Sequence, residues 1–162
     1  MLISKSNGLL LKEHSEIISI CANAILKNIV SDEELVQKFK DTIKHASFLH
    51  DIGKLTTNFQ KFLTKKTKKP GLKFRHNEIG WAFLSKYLST EFTDREIILN
   101  IVYWHHGISN EIKKHTDSEI LDKLDTQSKE NMIEYLTECV GEENVITQEE
   151  YVDPVVSPLF SG

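Results

Sequence analysis

Apolar residues recur at steps of three and four along most of this chain, and this spacing constrains its fold more than any other feature. An α-helix brings such positions onto one face, whereas a half-buried strand would alternate at every second residue. Similar stripes end at His50, begin at His76 and end at His105, and no convincing pair of strands is visible. The sequence therefore predicts an all-α bundle in a single domain of 162 residues. The first stripe comprises Leu11, His14, Ile18, Cys21, Ile25 and Ile29.

Capping residues and glycines predict where the helices begin and end. A serine or threonine with a glutamate three residues later is the pattern of a capping box, and glycine commonly ends a helix. A short helix is predicted over "TTNFQKFL", and irregular structure in "TKKTKKPG" and the C-terminal tail. The predicted helix starts are Ser31 with Glu34, His76, Thr93 with Glu96, and Asp117, and the predicted ends are Gly53, Gly107 and Gly141.

Composition and length narrow the function classes. The apolar fraction is 40 % and no apolar run approaches the roughly 18 residues of a membrane span. The N-terminal leucine run is too short for a signal peptide, so we expect a cytoplasmic protein without a membrane partner. Cys21 and Cys139 lie in helical segments and are expected to be buried thiols of a reducing compartment, with a disulfide between them left open.

The charge distribution is more informative than the net charge of −4. Residues 61–75 contain seven basic residues and no acidic one, whereas thirteen Asp or Glu and four Lys follow Gly107. A basic segment can bind a polyanionic strand, and Phe59, Phe62 and Phe74 could stack on its bases. A solvated lysine-rich loop and core phenylalanines remain the alternatives. The candidate nucleic-acid-binding residues are Lys65, Lys66, Lys68, Lys69, Lys73 and Arg75.

Five histidines share one property: each lies at an end of a core-facing row. If neighbouring helices alternate in direction, these ends meet at one end of the bundle together with Asp51. Burying that many imidazoles without partners costs about 2 kcal/mol or more apiece, and a metal site satisfies them together. His-rich ligation favours Mn, Fe, Co or Ni over Mg. The five are His14, His50, His76, His105 and His106, whereas His45 and His115 are expected to be hydrogen-bonded core residues or partly exposed ones.

Lys54 follows Asp51 by three residues and could share its face of the chain. An ammonium has no lone pair, so it cannot be a metal ligand. Beside a metal it could hold a substrate phosphate or oppose the charge of a transition state. A surface lysine after a capping glycine is the alternative.

The order of these residues resembles the HD superfamily of metal-dependent phosphohydrolases, an all-α fold named for its His-Asp pair. "HDIGKLTTNFQKFL", "FRHNEIGWAFL" and "YWHHGI" are similar, within that superfamily, to the HD nuclease domain of the CRISPR-associated helicase-nuclease of type I interference. The resemblance depends on Phe59-Gln60, Arg75-His76 and the double histidine, and it spans His14 to Gly107.

This resemblance implies cleavage of single-stranded DNA by a two-metal centre. One ion would be held by His14, His50 and Asp51, and the other by Asp51, His76, His105 and His106, with Asp51 bridging them. Lys54 would lie near the scissile phosphate. The family has a further aspartate ligand downstream; Asp153 is the nearest candidate, although its Asp-Pro context matches poorly.

The resemblance also implies partners. It implies a helicase, fused or separate, that acts with an RNA-guided surveillance complex. No G-x-x-x-x-G-K-[ST] loop for ATP is visible here, so the sequence itself shows no means of unwinding DNA. Residues 1–162 would then be one HD nuclease domain, the N-terminal part of a larger helicase-nuclease.

Two other functions stay open on the sequence. An HD phosphohydrolase of small nucleotides would use the same metals, although it should not need a basic segment. A catalytically incomplete metal-binding domain could instead dock a partner through its acidic C-terminal third. The cyclic-dinucleotide branch of the superfamily is disfavoured, because its Gly-Tyr-Pro signature is absent.

Overall fold

A computed structural model describes residues 2–5, 7–65, 74–106 and 115–146. Within these ranges the chain forms seven α-helices, two short 3-10 turns and only isolated β-bridges, which confirms the predicted all-α class. None of these helices has the length and hydropathy that a bilayer span requires. The helices are α1 (Leu11–Ile29), α2 (Glu33–Leu49), α3 (Thr57–Lys65), α4 (His76–Tyr87), α5 (Arg95–Trp104), α6 (Asp117–Leu121) and α7 (Thr126–Val140), and the 3-10 turns are Ile52–Leu55 and Glu142–Asn144.

Two of the predicted helix starts are wrong by one residue. Asp32, not Ser31, caps α2, because its carboxylate accepts a hydrogen bond from the backbone N–H three residues later. α5 begins after Asp94, which adopts a left-handed backbone with φ 58°, so Thr93 forms no capping box. The Asp94 carboxylate instead accepts a hydrogen bond from the Thr42 hydroxyl of α2. This contact ties the start of α5 to the middle of α2.

Some of the other predicted boundaries agree with the structure, and the rest lie where the structure does not describe the chain. Gly141 ends α7 with φ 88°, and α2 stops at Leu49, just before the 3-10 turn that contains Gly53. The short helix predicted over "TTNFQKFL" is α3. Gly107, most of the "TKKTKKPG" loop and the C-terminal tail lie outside the described residues.

α4 lies at the centre of the core. It packs against α5, α6 and the 3-10 turn Ile52–Leu55, while α2 packs against α1, α5 and α7. The face of α4 that the sequence predicts to be apolar is buried, and Phe83 is its largest fully buried side chain. The core also takes its fully buried residues from the other elements, among them Leu49, Ile52, Leu55, Ile98, Val102, Met132 and Leu136.

The apolar stripe predicted for α1 is mostly not buried. Among residues 16–41, which form the distal half of α1 and the proximal half of α2, no residue is buried. Ile25 is 60 % and Ile29 75 % exposed, and Cys21 is exposed as well. The prediction of a buried Cys21 is therefore wrong; Cys139 is partly buried, and both thiols are free. Only the first turns of α1, around Leu11, join the core.

Candidate metal centre

Four helix ends meet at one end of the core, as the alternating direction of the helices requires. α2 ends at His50, α4 begins at His76, α5 ends before His105, and the first turns of α1 carry His14. The structure thus brings together all six side chains that the sequence proposes as ligands. They form two groups that share one carboxylate, and within each group the donor atoms lie within 4.8 Å of one another. The groups are His14, His50 and Asp51, and Asp51, His76, His105 and His106.

Asp51 is 1 % exposed, and each of its two oxygens faces a different histidine group. Oδ2 lies 3.4 Å from His14 Nε2 and 3.2 Å from His50 Nε2. Oδ1 lies 3.1 Å from His76 Nε2 and 3.5 Å from His105 Nε2. A carboxylate arranged in this way can donate one oxygen to each of two cations.

Backbone carbonyls fix the proton positions of two of the rings. His50 Nδ1 lies 2.6 Å from the carbonyl oxygen of Ser47, and His105 Nδ1 lies 2.7 Å from that of Val102. A carbonyl only accepts, so each Nδ1 must carry the proton, and in a neutral ring the lone pair then lies on Nε2. This is the second contact that metal-ligating histidines typically make.

The electrostatics of the cluster favour a bound cation. Burial raises the pKa of Asp51, but the contacts of its carboxylate with His105, His50 and His76 lower the pKa by more, so that it is held well below its usual range. Burial lowers the pKa of His14 and of His76. Burial and the adjacent imidazoles lower the pKa of His106 to about 4. Burial thus disfavours the charged form of three of these imidazoles, which lie around an ionised carboxylate, and a cation bound between them would accept their lone pairs.

Lys54 contributes a positive charge at the edge of the cluster. Its Nζ lies 2.6 Å from Asp51 Oδ2, the oxygen that also faces His14 and His50. The 3-10 turn produces this contact, since residues three apart lie on the same side of such a turn. The ammonium is half-buried and points at the site, so the alternative of an ordinary surface lysine is not what the structure shows.

Comparison with known proteins agrees with this geometry. The family model described as "Cas3, HD domain" matches residues 4–162. The chain belongs to this family. Cas3 is the helicase-nuclease of type I CRISPR interference, and its HD domain is a metal-dependent hydrolase. No curated protein and no solved structure matched the chain.

The donors of this Cas3 HD domain fit divalent transition metals. Five of the six donors are imidazoles, which are borderline ligands that Fe, Co, Ni and Zn accept, whereas the single carboxylate is the oxygen donor that Mg and Mn prefer. The group around His14 offers three donors and the group around His76 four. Both counts leave positions open for water or substrate in a six-coordinate ion.

Three residues that support the site were not identified from the sequence as having this role. The Asn77 amide donates to the Tyr103 backbone carbonyl at 2.6 Å and joins the start of α4 to the end of α5. The Phe59 ring packs edge-on against His76, with 5.5 Å between ring centroids. Gln60 donates to the Lys54 carbonyl at 2.9 Å. The Phe59-Gln60 pair, used above only as a family signature, therefore positions a candidate ligand and the lysine.

Gln60 also anchors the N-terminal segment. Its amide donates to the Ile3 carbonyl at 2.8 Å and its oxygen accepts from the Ile3 N–H at 3.1 Å. Because the same amide holds the Lys54 carbonyl, the N-terminal segment and the 3-10 turn Ile52–Leu55 share one side chain. The sequence gives no signal of this anchoring role, because a single glutamine three residues after the start of a helix is an ordinary helix residue.

The proposed nucleic-acid-binding residues are only partly covered by the structure. Arg75 is exposed and directly precedes His76. Phe74 is 6 % exposed and belongs to the core, so it cannot stack on a base, which was one of the two expectations for it. His45 and His115 are partly exposed, as one of the two expectations for them has it; His45 packs against Phe92, and His115 lies 3.5 Å from the Glu119 carboxylate. Lys66, Lys68, Lys69, Lys73, Asp153 and the side chain of Lys65 lie outside the described residues.

Proposed function

We propose that this domain cleaves single-stranded DNA at a two-metal centre held by His14, His50, Asp51, His76, His105 and His106. The observation that carries the proposal is the buried Asp51 carboxylate, whose two oxygens face two separate histidine groups. That arrangement suits two cations bridged by one carboxylate. Two divalent ions, when bound, stabilise the attacking and leaving oxygens of a phosphodiester in an in-line displacement. We propose Mn, Fe, Co or Ni as the ions, with Mg a poorer fit.

The protein groups divide the remaining work. The Ser47 and Val102 carbonyls keep the proton of His50 and His105 on Nδ1, so that Nε2 stays directed at the centre. Lys54 lies at the rim of the same carboxylate, where its ammonium opposes the charge that develops on a phosphate. It is therefore the proposed catalytic lysine, and Asp51 the residue without which neither group is complete.

Access to the site favours a flexible strand. The side chains of His14, His50, His76 and His105 are only 11–14 % exposed, so a phosphate must approach a recessed cluster. A stacked duplex has a persistence length of about 50 nm and bends poorly on this scale, whereas a single strand can bend a phosphate inward. The basic segment 61–75 adjoins the site through Arg75 and His76, and we propose that it holds the strand.

The partners follow from the substrate. The domain has no visible means of unwinding DNA, so we propose that a helicase, fused or separate, works with an RNA-guided surveillance complex to expose the strand. The region after Gly107 is acidic, in contrast to the basic segment 61–75, and we assign it no part in binding DNA.

The test compares metal content and cleavage in the wild-type protein and two variants. Asp51→Asn keeps the shape of the side chain but removes the bridging charge, and it should abolish metal-dependent cleavage while the helical circular-dichroism signal is retained. Asp122→Asn changes an exposed aspartate on the surface and serves as the matched control. One labelled strand is presented alone and annealed to its complement, at the same Mn and salt concentrations. We expect the protein to cleave the single strand and to leave the duplex nearly intact.

Four outcomes separate the candidate functions. Wild-type turnover by Asp51→Asn would contradict the bridging role. Equal cleavage of single and annealed strands would contradict the substrate. Release of phosphate from nucleotides without DNA cleavage would instead support a nucleotide phosphohydrolase, and a metal-loaded protein inert towards both would support a docking domain.

A further inference from the structure

Three aromatic rings form a connected cluster beside the metal centre. The Tyr103 ring meets Trp81 edge-on at 5.5 Å between centroids and Trp104 edge-on at 4.8 Å. Trp104 is the last residue of α5, directly before the candidate ligand His105, and 38 % of it is exposed. A large indole surface is therefore open to solvent one residue from the metal cluster.

The backbone that carries this indole is tied to α4. The Tyr103 carbonyl accepts the Asn77 amide at 2.6 Å, which fixes the end of α5 against the start of α4 beside His76. Trp81 is half-buried and packs against the core, so the far end of the ring cluster cannot move freely. An end of α5 that is already tied down loses little backbone entropy when a flat ligand binds there.

A cation lies on the same rim. Arg75 is exposed and directly precedes His76. Burial is the main cause that raises the pKa of Tyr103; the Glu78 carboxylate raises it further and the Arg75 guanidinium opposes both. Arg75 is the N-cap residue of α4 and lies two residues before Asn77, whose amide contacts the Tyr103 carbonyl, so this cation lies at the helix end that adjoins the end of α5. Proteins that bind single-stranded nucleic acids combine cations for the backbone with aromatic faces for the bases.

We propose that Trp104 is a stacking platform for a base of the strand whose phosphate lies at the metal centre, with Arg75 on the adjoining backbone. The inference rests on the proposed function, since it assigns a subsite of the same site. Ile97 and Ile101 continue the exposed face of α5 away from the centre. Aliphatic side chains offer no π-face to a base, so the stacking subsite is confined to Trp104.

Tryptophan fluorescence gives a direct measurement, because Trp81 and Trp104 are the only two tryptophans in the chain. Trp81→Phe leaves Trp104 as the sole emitter. Titrating this variant in chelator with oligothymidylate should quench its emission, and an abasic strand of equal length and charge should not. In parallel, Trp104→Ala should weaken single-strand binding about 5- to 150-fold, the range expected for losing one stacked base. With Mn present it should raise KM by a similar factor with little change in kcat.

Ile97→Ala is the matched control, since it removes an exposed side chain from the same face of α5 and should leave affinity and KM unchanged. Equal quenching by the abasic strand, or a Trp104→Ala variant with wild-type affinity and KM, would overturn the stacking subsite while cleavage by the wild type upholds the proposed function. Trp104→Ala could instead change the oligomeric state of the protein without weakening its affinity for the strand. That result would make this surface a protein–protein contact and would also overturn the stacking subsite. A wild type that neither binds nor cleaves single strands would overturn both proposals.

Discussion

Replacing Gly53 with alanine should damage both the fold and the metal centre, because the turn that carries Asp51 touches α4 at this glycine. A Cβ on Gly53 would lie 1.9 Å from the backbone oxygen of His76 and 2.9 Å from the backbone nitrogen of Gly80. Real Cβ atoms essentially never come within 3.0 Å of such neighbours, so the two backbones must separate by about 1 Å (3.0 − 1.9 = 1.1 Å). Neither neighbour is a side chain that could rotate away.

The size of the effect follows from that separation. Overpacking a core typically costs about 1–3 kcal/mol, and a clash between two backbones belongs at about 3 kcal/mol. For a domain of this size, such a loss lowers Tm by about 6–12 °C. The distance from Asp51 Oδ1 to His76 Nε2, now 3.1 Å, would also lengthen. Metal–ligand distances tolerate deviations of only about 0.2 Å, so the affinity for Mn should fall by about 10–100-fold.

Gly80→Ala is the matched control at the same helix contact. Its Cβ would meet side-chain methyl groups of Ile52 and Val102, each at 3.2 Å, and these can move by a few tenths of an ångström. We expect a smaller loss of stability and nearly normal metal affinity. Thermal unfolding followed by circular dichroism and calorimetric titration with Mn provide the two readouts. A Gly53→Ala protein with the Tm and the Mn affinity of the wild type would refute the reasoning.

Three further predictions test other parts of the molecule. Neutralising four lysines of the basic segment should flatten the slope of log affinity against log salt for a single strand by about 2.8, at about 0.7 per charge, and an unchanged slope would exclude them from the interface. Ile25→Lys with Ile29→Lys should change the free energy of unfolding by no more than about 0.5 kcal/mol per site, against about 3–5 kcal/mol for Phe83→Ala; a loss above 2 kcal/mol would show that this helix face is covered. Gln60→Ala should cost about 1–3 kcal/mol and speed hydrogen exchange at the Ile3 N–H, and slow exchange there would contradict the anchoring role. The four lysines, each changed to glutamine, are Lys65, Lys66, Lys68 and Lys69.

The sequence predicted the convergence of the histidines because each one marks the end of a helix. The positions of helix ends follow from local signals such as periodicity and glycine, and antiparallel packing then brings the ends together. The proton positions could not be predicted in the same way. The partners of His50 and His105 are the backbone carbonyls of Ser47 and Val102, and every residue type carries such a carbonyl.

The predicted apolar face of α1 shows a different limit. Periodicity identifies an apolar face, but it does not say whether another element covers that face. α1 carries isoleucines on more than one side, and α2 is its main neighbour among the described helices, so Ile25 and Ile29 remain exposed. The start of α2 was misplaced for a local reason, since Ser31 and Asp32 are adjacent and both are good capping residues.

The His-Asp-Ile-Gly-Lys stretch acts as one unit because the backbone changes from an α-helix to a 3-10 turn within it. The Lys54 N–H donates to the Asp51 carbonyl at 2.9 Å, three residues back, so these two side chains lie on the same side of the turn. Between them, Ile52 is fully buried in the core and Gly53 lies against the backbone of His76. A continuing α-helix would rotate Lys54 by about 60° away from Asp51, since three residues cover about 300°. The core contact of Ile52 and the close approach at Gly53 therefore hold the carboxylate and the ammonium together at the metal centre.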